Sequence, residues 1–287
     1  MKSNVVWALA FGVTLLVLLT GVFLLFRTQF GKTPHVIETD QSEASFLADK
    51  FIEVPLVTDS ERQETNPGNR YAYNVHFPTI AIMSHPDLAK EANAVVTTFV
   101  EDIIVNFTKN ISEPFDNTAL AGLTSDLSMR FTAQLVSPTI ISIRFDISEY
   151  YAGAAHPNSR IRVLNYDMEE HRILATSDLF ASSTDALPFL SDFTRTQLEH
   201  APNASFDESR HELLLLGTEP TIENFANIAL NESGLVVFFN PYQIAPYARG
   251  SQTVPIPLEA LNQLLIPRIE EAIRLGKANI TEATPEK

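Results

Sequence analysis

The stretch DLAKEANAVVTTFVEDIIVNFTK, residues 87–109, decides the fold. Leu88, Ala92, Val95, Val96, Phe99, Val100, Ile103, Ile104 and Phe107 recur at the spacing of one helix face. Ser84, Pro86 and Asp87 supply start signals just ahead of them. A helix with one apolar stripe must cover something, and the face of a sheet is the simplest partner. Phe99 and Ile103 are therefore expected to be buried against strands.

Strand patterns flank this helix on both sides. Before it, Tyr73, Val75 and Phe77 alternate with Asn74 and His76. After it, Ile141, Ile143, Phe145 and Ile147 alternate with Ser142, Arg144, Asp146 and Ser148, the pattern of a half-buried strand. Leu127 to Leu135 alternates too, and Ile161 to Asp167 and Leu235 to Phe239 are further strand candidates. Helical spacing returns near Asp185 to His200 and Leu258 to Leu275, the latter interrupted by Pro267. The polar stretch Asp59 to Arg70, with Asn66-Pro67-Gly68-Asn69, reads as a turn between strands. Adjacent strands joined by short turns predict an α+β fold: antiparallel sheets with helices packed on one face.

Composition narrows the function. The chain has 287 residues, no cysteine and a formal net charge of -15. Such a surface repels phosphate backbones, so nucleic acid is not an expected partner. Disulfides, thiolate metal sites and cysteine nucleophiles are excluded. From Val5 to Phe26 no residue is charged. A helix needs roughly 20 apolar residues to cross the hydrocarbon core. This run exceeds the about 7–15 of a signal-peptide apolar region, and no A-x-A-like cleavage site follows it. It predicts a single retained transmembrane helix, after a tail at residues 1–4 and before a polar tether at residues 27–45. Lys2 on one side and Arg27 and Lys32 on the other leave the orientation open.

Three later segments carry a resemblance. The first is Tyr150-Tyr151-Ala152-Gly153-Ala154-Ala155-His156-Pro157, followed by Leu164-Asn165-Tyr166-Asp167 and Ser177-Asp178-Leu179-Phe180. The second is Gly234-Leu235-Val236-Val237-Phe238-Phe239. The third is Tyr242-Gln243-Ile244-Ala245-Pro246-Tyr247-Ala248-Arg249-Gly250 with Val254-Pro255-Ile256-Pro257. Together they resemble the RsiV-like extracytoplasmic domain, domain of unknown function 3298. Tyr71 to Pro78, the long helix and the Ile140 to Phe145 strand resemble, more faintly, domain of unknown function 4163. That companion precedes it in RsiV and in the peptidoglycan deacetylase PdaC. The resemblance implies an N-terminal domain over 46–150, a C-terminal domain over 151–275 and a polar tail over 276–287. It also implies a plasma-membrane protein with its large domain outside the cell, sensing or binding an envelope glycan or a lysozyme-like enzyme. Only Met1 to Asn4 precede the apolar run, too little for a sigma-factor-binding output.

Candidate site residues follow from the same segments. His156 has the side chain of a general base, with Asp167 or Asp178 to orient it, which would suit an envelope polymer hydrolase. No G-x-S-x-G or similar nucleophile motif accompanies it. A loop in which His156 bonds a backbone carbonyl is the simpler reading, so no catalytic residue is assigned. The histidines are scattered without an H-E-x-x-H pairing, so no metal or cofactor is expected. His171 with Glu169 and Glu170 reads as solvated charge in a hairpin turn. Tyr150, Tyr151, Tyr242 and Tyr247 offer apolar faces with polar tips. With His156 they form the expected ligand-binding set of a binding or sensing module; packing is the alternative for each.

Overall fold

The computed structural model describes residues 53–111, 122–201, 208–261 and 263–279. All of them fall in one compact unit, Ile52–Lys287. The apolar run 5–26 and the tether 27–45 lie outside the described residues. Among the described residues no helix is long and apolar enough to cross a membrane.

The helix at the centre of the sequence argument runs over Pro86–Ile111 (α1). Pro86 opens it, where a missing N–H costs nothing. Asp87 and Lys109 sit at the ends that the helix dipole favours. Ala92, Val96, Val100, Ile103, Ile104 and Phe107 are buried beneath it. Ile103 is covered as expected, whereas Phe99 lies half-buried at the rim. There its ring packs 4.7 Å from Phe145, and the Arg162 guanidinium covers it.

The stripe covers a six-stranded sheet in the order β1-β2-β3-β4-β5-β6. Its strands are β1 (Leu56–Asn66), β2 (Tyr71–Ala81), β3 (Ser125–Val136), β4 (Ile140–Tyr150), β5 (Asn158–Asp167) and β6 (Arg172–Leu174). The sheet runs without a break across residue 150. Neighbours are antiparallel except β2 and β3, which are parallel because α1 carries the chain back between them. The fold is α+β, with that one parallel pair set among antiparallel ones.

Most of the polar stretch 59–70 is strand rather than turn. Only Pro67 to Arg70 turn. β1 is an edge strand, largely exposed, and its charged side chains suit such an edge. They also bond across to β2. Asp59 meets His76 at 2.8 Å, Asn74 donates to Glu61, and the Tyr71 and Tyr73 hydroxyls both donate to Glu64. Those donors hold the Glu64 carboxyl below its usual range.

β4 is buried throughout on one face and half-buried on the other, where Ser142 alone of the four polar residues is fully covered. Ile141, Ile143, Phe145 and Ile147 face α1. Ser142 and Arg144 on the other face reach a second, antiparallel sheet of β7 (Ile228–Asn231), β8 (Gly234–Phe239) and β9 (Gln252–Pro257). Buried Ser142 donates to Asn165 Oδ1 at 2.6 Å and accepts the Leu230 N–H, while Asn165 donates to the Ile228 carbonyl. Arg144 lies over the Phe238 ring. Ser142 and Asn165 thus join the two sheets by satisfied hydrogen bonds, whereas Asp146 further along keeps 43% of its side chain in solvent.

β8, Gly-Leu-Val-Val-Phe-Phe, is apolar on both faces and needs cover twice. Val236 and Phe238 pack on Ile161 and Val163 of the large sheet. Leu235, Val237 and Phe239 face α2 (Ser183–Glu199), α3 (Glu208–Gly217) and α4 (Pro267–Asn279). Helices therefore lie on both outer faces, not on one face as the strand pattern predicts. Pro267 does more than interrupt a helix: it begins α4, after a short 3-10 turn at Leu258–Leu261.

Candidate functional site

Two loops converge at the site. One is 151–157, between β4 and β5, which begins with a tight turn closed by Ala154 N–H on the Tyr151 carbonyl at 2.8 Å. The other joins β8 to β9 and carries Tyr242 and Tyr247. Asn240 and Gln243 fix its position. Asn240 accepts the Ile161 N–H at 2.6 Å, tying the loop to β5. Gln243 accepts the Asn240 N–H and donates to the Gly217 and Asn224 carbonyls at 3.2 and 2.9 Å.

Three rings meet there. His156 stacks on Tyr247 with centroids 4.1 Å apart and planes 27° apart. Tyr242 lies on Tyr247 at 5.3 Å and 34°. The Tyr247 hydroxyl donates to the Pro157 carbonyl at 2.7 Å, and His156 Nδ1 stands 2.9 Å from the same oxygen. A carbonyl only accepts, so Nδ1 carries the proton and Nε2 of the neutral ring is left as an acceptor. Tyr242 is 58 % exposed.

Tyr242 is also held in an unfavourable backbone conformation. The Gln243 N–H bonds the Asn240 carbonyl at 3.0 Å, with Pro241 and Tyr242 at the centre of the turn. Tyr242 has φ 69°. Proline followed by a positive φ is a type II turn, whose third position belongs to glycine. A side chain with a Cβ costs about 1–2 kcal/mol there.

The other expected residues lie elsewhere. Tyr151 turns toward α1, with its ring 5.6 Å from Phe107 and its hydroxyl accepting from Asn110 at 3.4 Å. Tyr150 ends β4 opposite Asp126. Asp167 is at the far end of ten-residue β5, about 30 Å from the His156 end at strand rise. There Oδ1 accepts the Glu169 and Glu170 N–H groups, and Oδ2 forms an ion pair with Arg268. Asp178 pairs with Arg172. Neither carboxylate orients His156. His171 sits in the β5–β6 turn as expected, more than half exposed, and meets Glu91 of α1 at 2.5 Å in a pair that is itself solvated. A separate cleft of about 570 Å³ is lined by Leu258, Leu261, Leu265, Gln263, Glu259, Glu270 and Arg274, with Glu270 and Arg274 already paired.

Gly217 ends α3 against the back of the ring-bearing loop. A methyl group there would stand 2.0 Å from the Gln243 carbonyl oxygen, backbone that cannot turn aside. Gly217→Ala should therefore cost about 1–3 kcal/mol and shift the Tyr242 and Tyr247 ring resonances in NMR spectra. Unmoved rings with native stability would mean that α3 does not brace this loop.

The described residues form an α+β domain of two packed sheets with a stack of three rings at its surface. Residues 177–259 match the family described as "Protein of unknown function (DUF3298)", so the chain contains a DUF3298 domain. Tyr242 and Tyr247 lie inside that match and His156 precedes it. Among curated proteins, the chain is 24% identical to Peptidoglycan-N-acetylmuramic acid deacetylase PdaC of Bacillus subtilis over 201 residues, 70% of this chain and 40% of that one. It is 29% identical to Immunogenic protein MPT64 of Mycobacterium tuberculosis over 122 residues, 40% of this chain and 47% of that one. The chain thus spans less than half the length of either relative. A crystal structure of a DUF3298-family protein from Bacteroides fragilis has the same fold, with a TM-score of 0.55 and 20% identity over 76% of this chain and 96% of that one.

Proposed function

We propose that this chain is a binding or sensing module of the bacterial cell envelope. In this reading residues 5–26 anchor it in the plasma membrane and the described domain stands outside, with an RsiV-like C-terminal part behind a PdaC/RsiV-associated N-terminal part. The observation that carries the reading is the His156–Tyr247–Tyr242 stack. It exposes the Tyr242 ring, and His156 bonds a backbone carbonyl with no carboxylate paired to it among the described residues. A hydrolase using His156 would need an orienting acid and a nucleophile beside it.

The test is capture by the fragment from Ser45 onward, with lysozyme and purified peptidoglycan as baits. His156→Gln separates binder from hydrolase. Glutamine keeps a donor for the Pro157 carbonyl, so the expected stability loss is about 1 kcal/mol, and no turnover of peptidoglycan is expected in parent or variant. A parent that hydrolyses peptidoglycan, and loses roughly 10²–10⁴-fold of that rate in a stable His156→Gln variant, would establish the hydrolase instead.

A further inference from the structure

The Tyr242 ring is held out at a cost in backbone conformation. Asparagine 240, Pro241, Tyr242 and Gln243 form a turn that favours glycine at its third position, yet a tyrosine with φ 69° stands there. Burial does not compensate, because the residue is 58 % exposed and its hydroxyl makes no hydrogen bond among the described residues. Strain kept at an exposed aromatic points from the outlier to a role for the ring itself.

We propose, resting on the binding-module reading, that Tyr242 backed by Tyr247 and His156 is a stacking platform for the pyranose ring of a neutral glycan. The ring faces are apolar while the Tyr242 hydroxyl and His156 Nε2 lie at the edges as hydrogen-bonding tips. A pyranose has the matching division: C–H groups on its faces and hydroxyls around its edge. The support is stiff, since the Tyr247 hydroxyl and His156 both bond the Pro157 carbonyl and Gln243 ties the loop to Gly217 and Asn224. Little freedom is then lost on binding. The net charge of -15 opposes a polyanionic ligand and leaves a neutral one unaffected.

The test uses the full chain in detergent micelles, titrated with the N-acetylglucosamine tetramer by calorimetry, beside Tyr242→Gly and Tyr242→Trp. The parent should bind saturably. Tyr242→Gly should bind about tenfold more weakly or worse while melting at or above the parent temperature, since glycine relieves the turn. Tyr242→Trp should bind at least as well as the parent. Absence of saturable binding by the parent, equal binding by Tyr242→Gly, or a lowered melting temperature in Tyr242→Gly would each overturn the proposal. Capture of lysozyme or peptidoglycan by the same preparations tells the two readings apart. Capture undiminished in Tyr242→Gly overturns the platform and leaves the binding module standing, whereas a parent that captures neither and binds no tetramer overturns both.

Discussion

Phe107→Ala should lower the stability of the domain by about 3–5 kcal/mol, read as a shift in denaturant midpoint with little change in slope. Phe107 is fully buried near the end of α1. Its ring meets Tyr71 edge-on at 6.4 Å and Tyr151 at 5.6 Å. Truncation therefore opens a cavity between the helix, the start of β2 and the entry to the 151–157 loop, where backbone on three sides limits collapse. Phe99→Ala is the internal control. Its ring is half-buried and covered on one side only by the Arg162 guanidinium, so about 2 kcal/mol is expected. A Phe107→Ala loss below about 1 kcal/mol, or a Phe99→Ala loss as large as that at Phe107, would mean that α1 presents a different stripe to the sheet.

Those two phenylalanines show what periodicity does and does not reveal. The 3.6-residue spacing located α1 within two residues at each end, but a stripe has a rim, and which ring falls on it depends on the curvature of the sheet beneath. Alternation likewise located β4. It could not show that Ser142 and Arg144 meet a second sheet, because a satisfied buried hydroxyl and a solvated one look alike in sequence. β1 escapes the pattern for the converse reason: an edge strand rich in charge resembles a turn. β2 and β3 read as separate strands, and their parallel pairing depends on where a long helix lands.

The site was legible residue by residue but not as an arrangement. His156, Tyr242 and Tyr247 stood out as types, yet their convergence spans some ninety positions and depends on the tie from Asn240 to β5. Tyr150 and Tyr151 have the same chemistry and lie outside the ring stack: Tyr150 ends β4 opposite Asp126, and Tyr151, the first loop residue, packs on Phe107 of α1. Asn240-Pro241-Tyr242-Gln243 has proline where a type II turn wants it and no glycine after it, a conflict between local preference and residue choice that marks a position under another demand.

Arg268→Met should be as damaging as the loss of Phe107, and by electrostatics. Asp167 is buried and candidate chemistry placed it beside His156; it serves structure instead. One carboxylate oxygen accepts the Glu169 and Glu170 N–H groups at 2.9 Å each, and the other faces Arg268 at 2.6 Å. Arg268 also reaches Glu170 at 2.5 Å, and Arg172 joins Glu170 to Asp178. The network fastens the β5–β6 turn to the start of α4. Methionine keeps much of the arginine stem and removes the charge, leaving a buried carboxylate with two N–H donors and no counter-ion, at a cost of about 3–5 kcal/mol. Asp167→Asn added to Arg268→Met should recover part of that loss, since no charge is then stranded. The acid limb gives a second readout. Hydrogen bonding from Arg172, assisted by Arg268, holds the Glu170 carboxyl below its ordinary value near 4.5. A depressed carboxyl contributes stability that is fully present above its unfolded value and lost as pH falls through its folded one. The parent should accordingly lose stability as pH drops below about 4.5, and Arg268→Met should lose less of it over that interval, because part of the hold on Glu170 is already gone. An Arg268→Met variant within about 1 kcal/mol of the parent at neutral pH, with the same acid limb, would show that the backbone N–H groups alone carry Asp167.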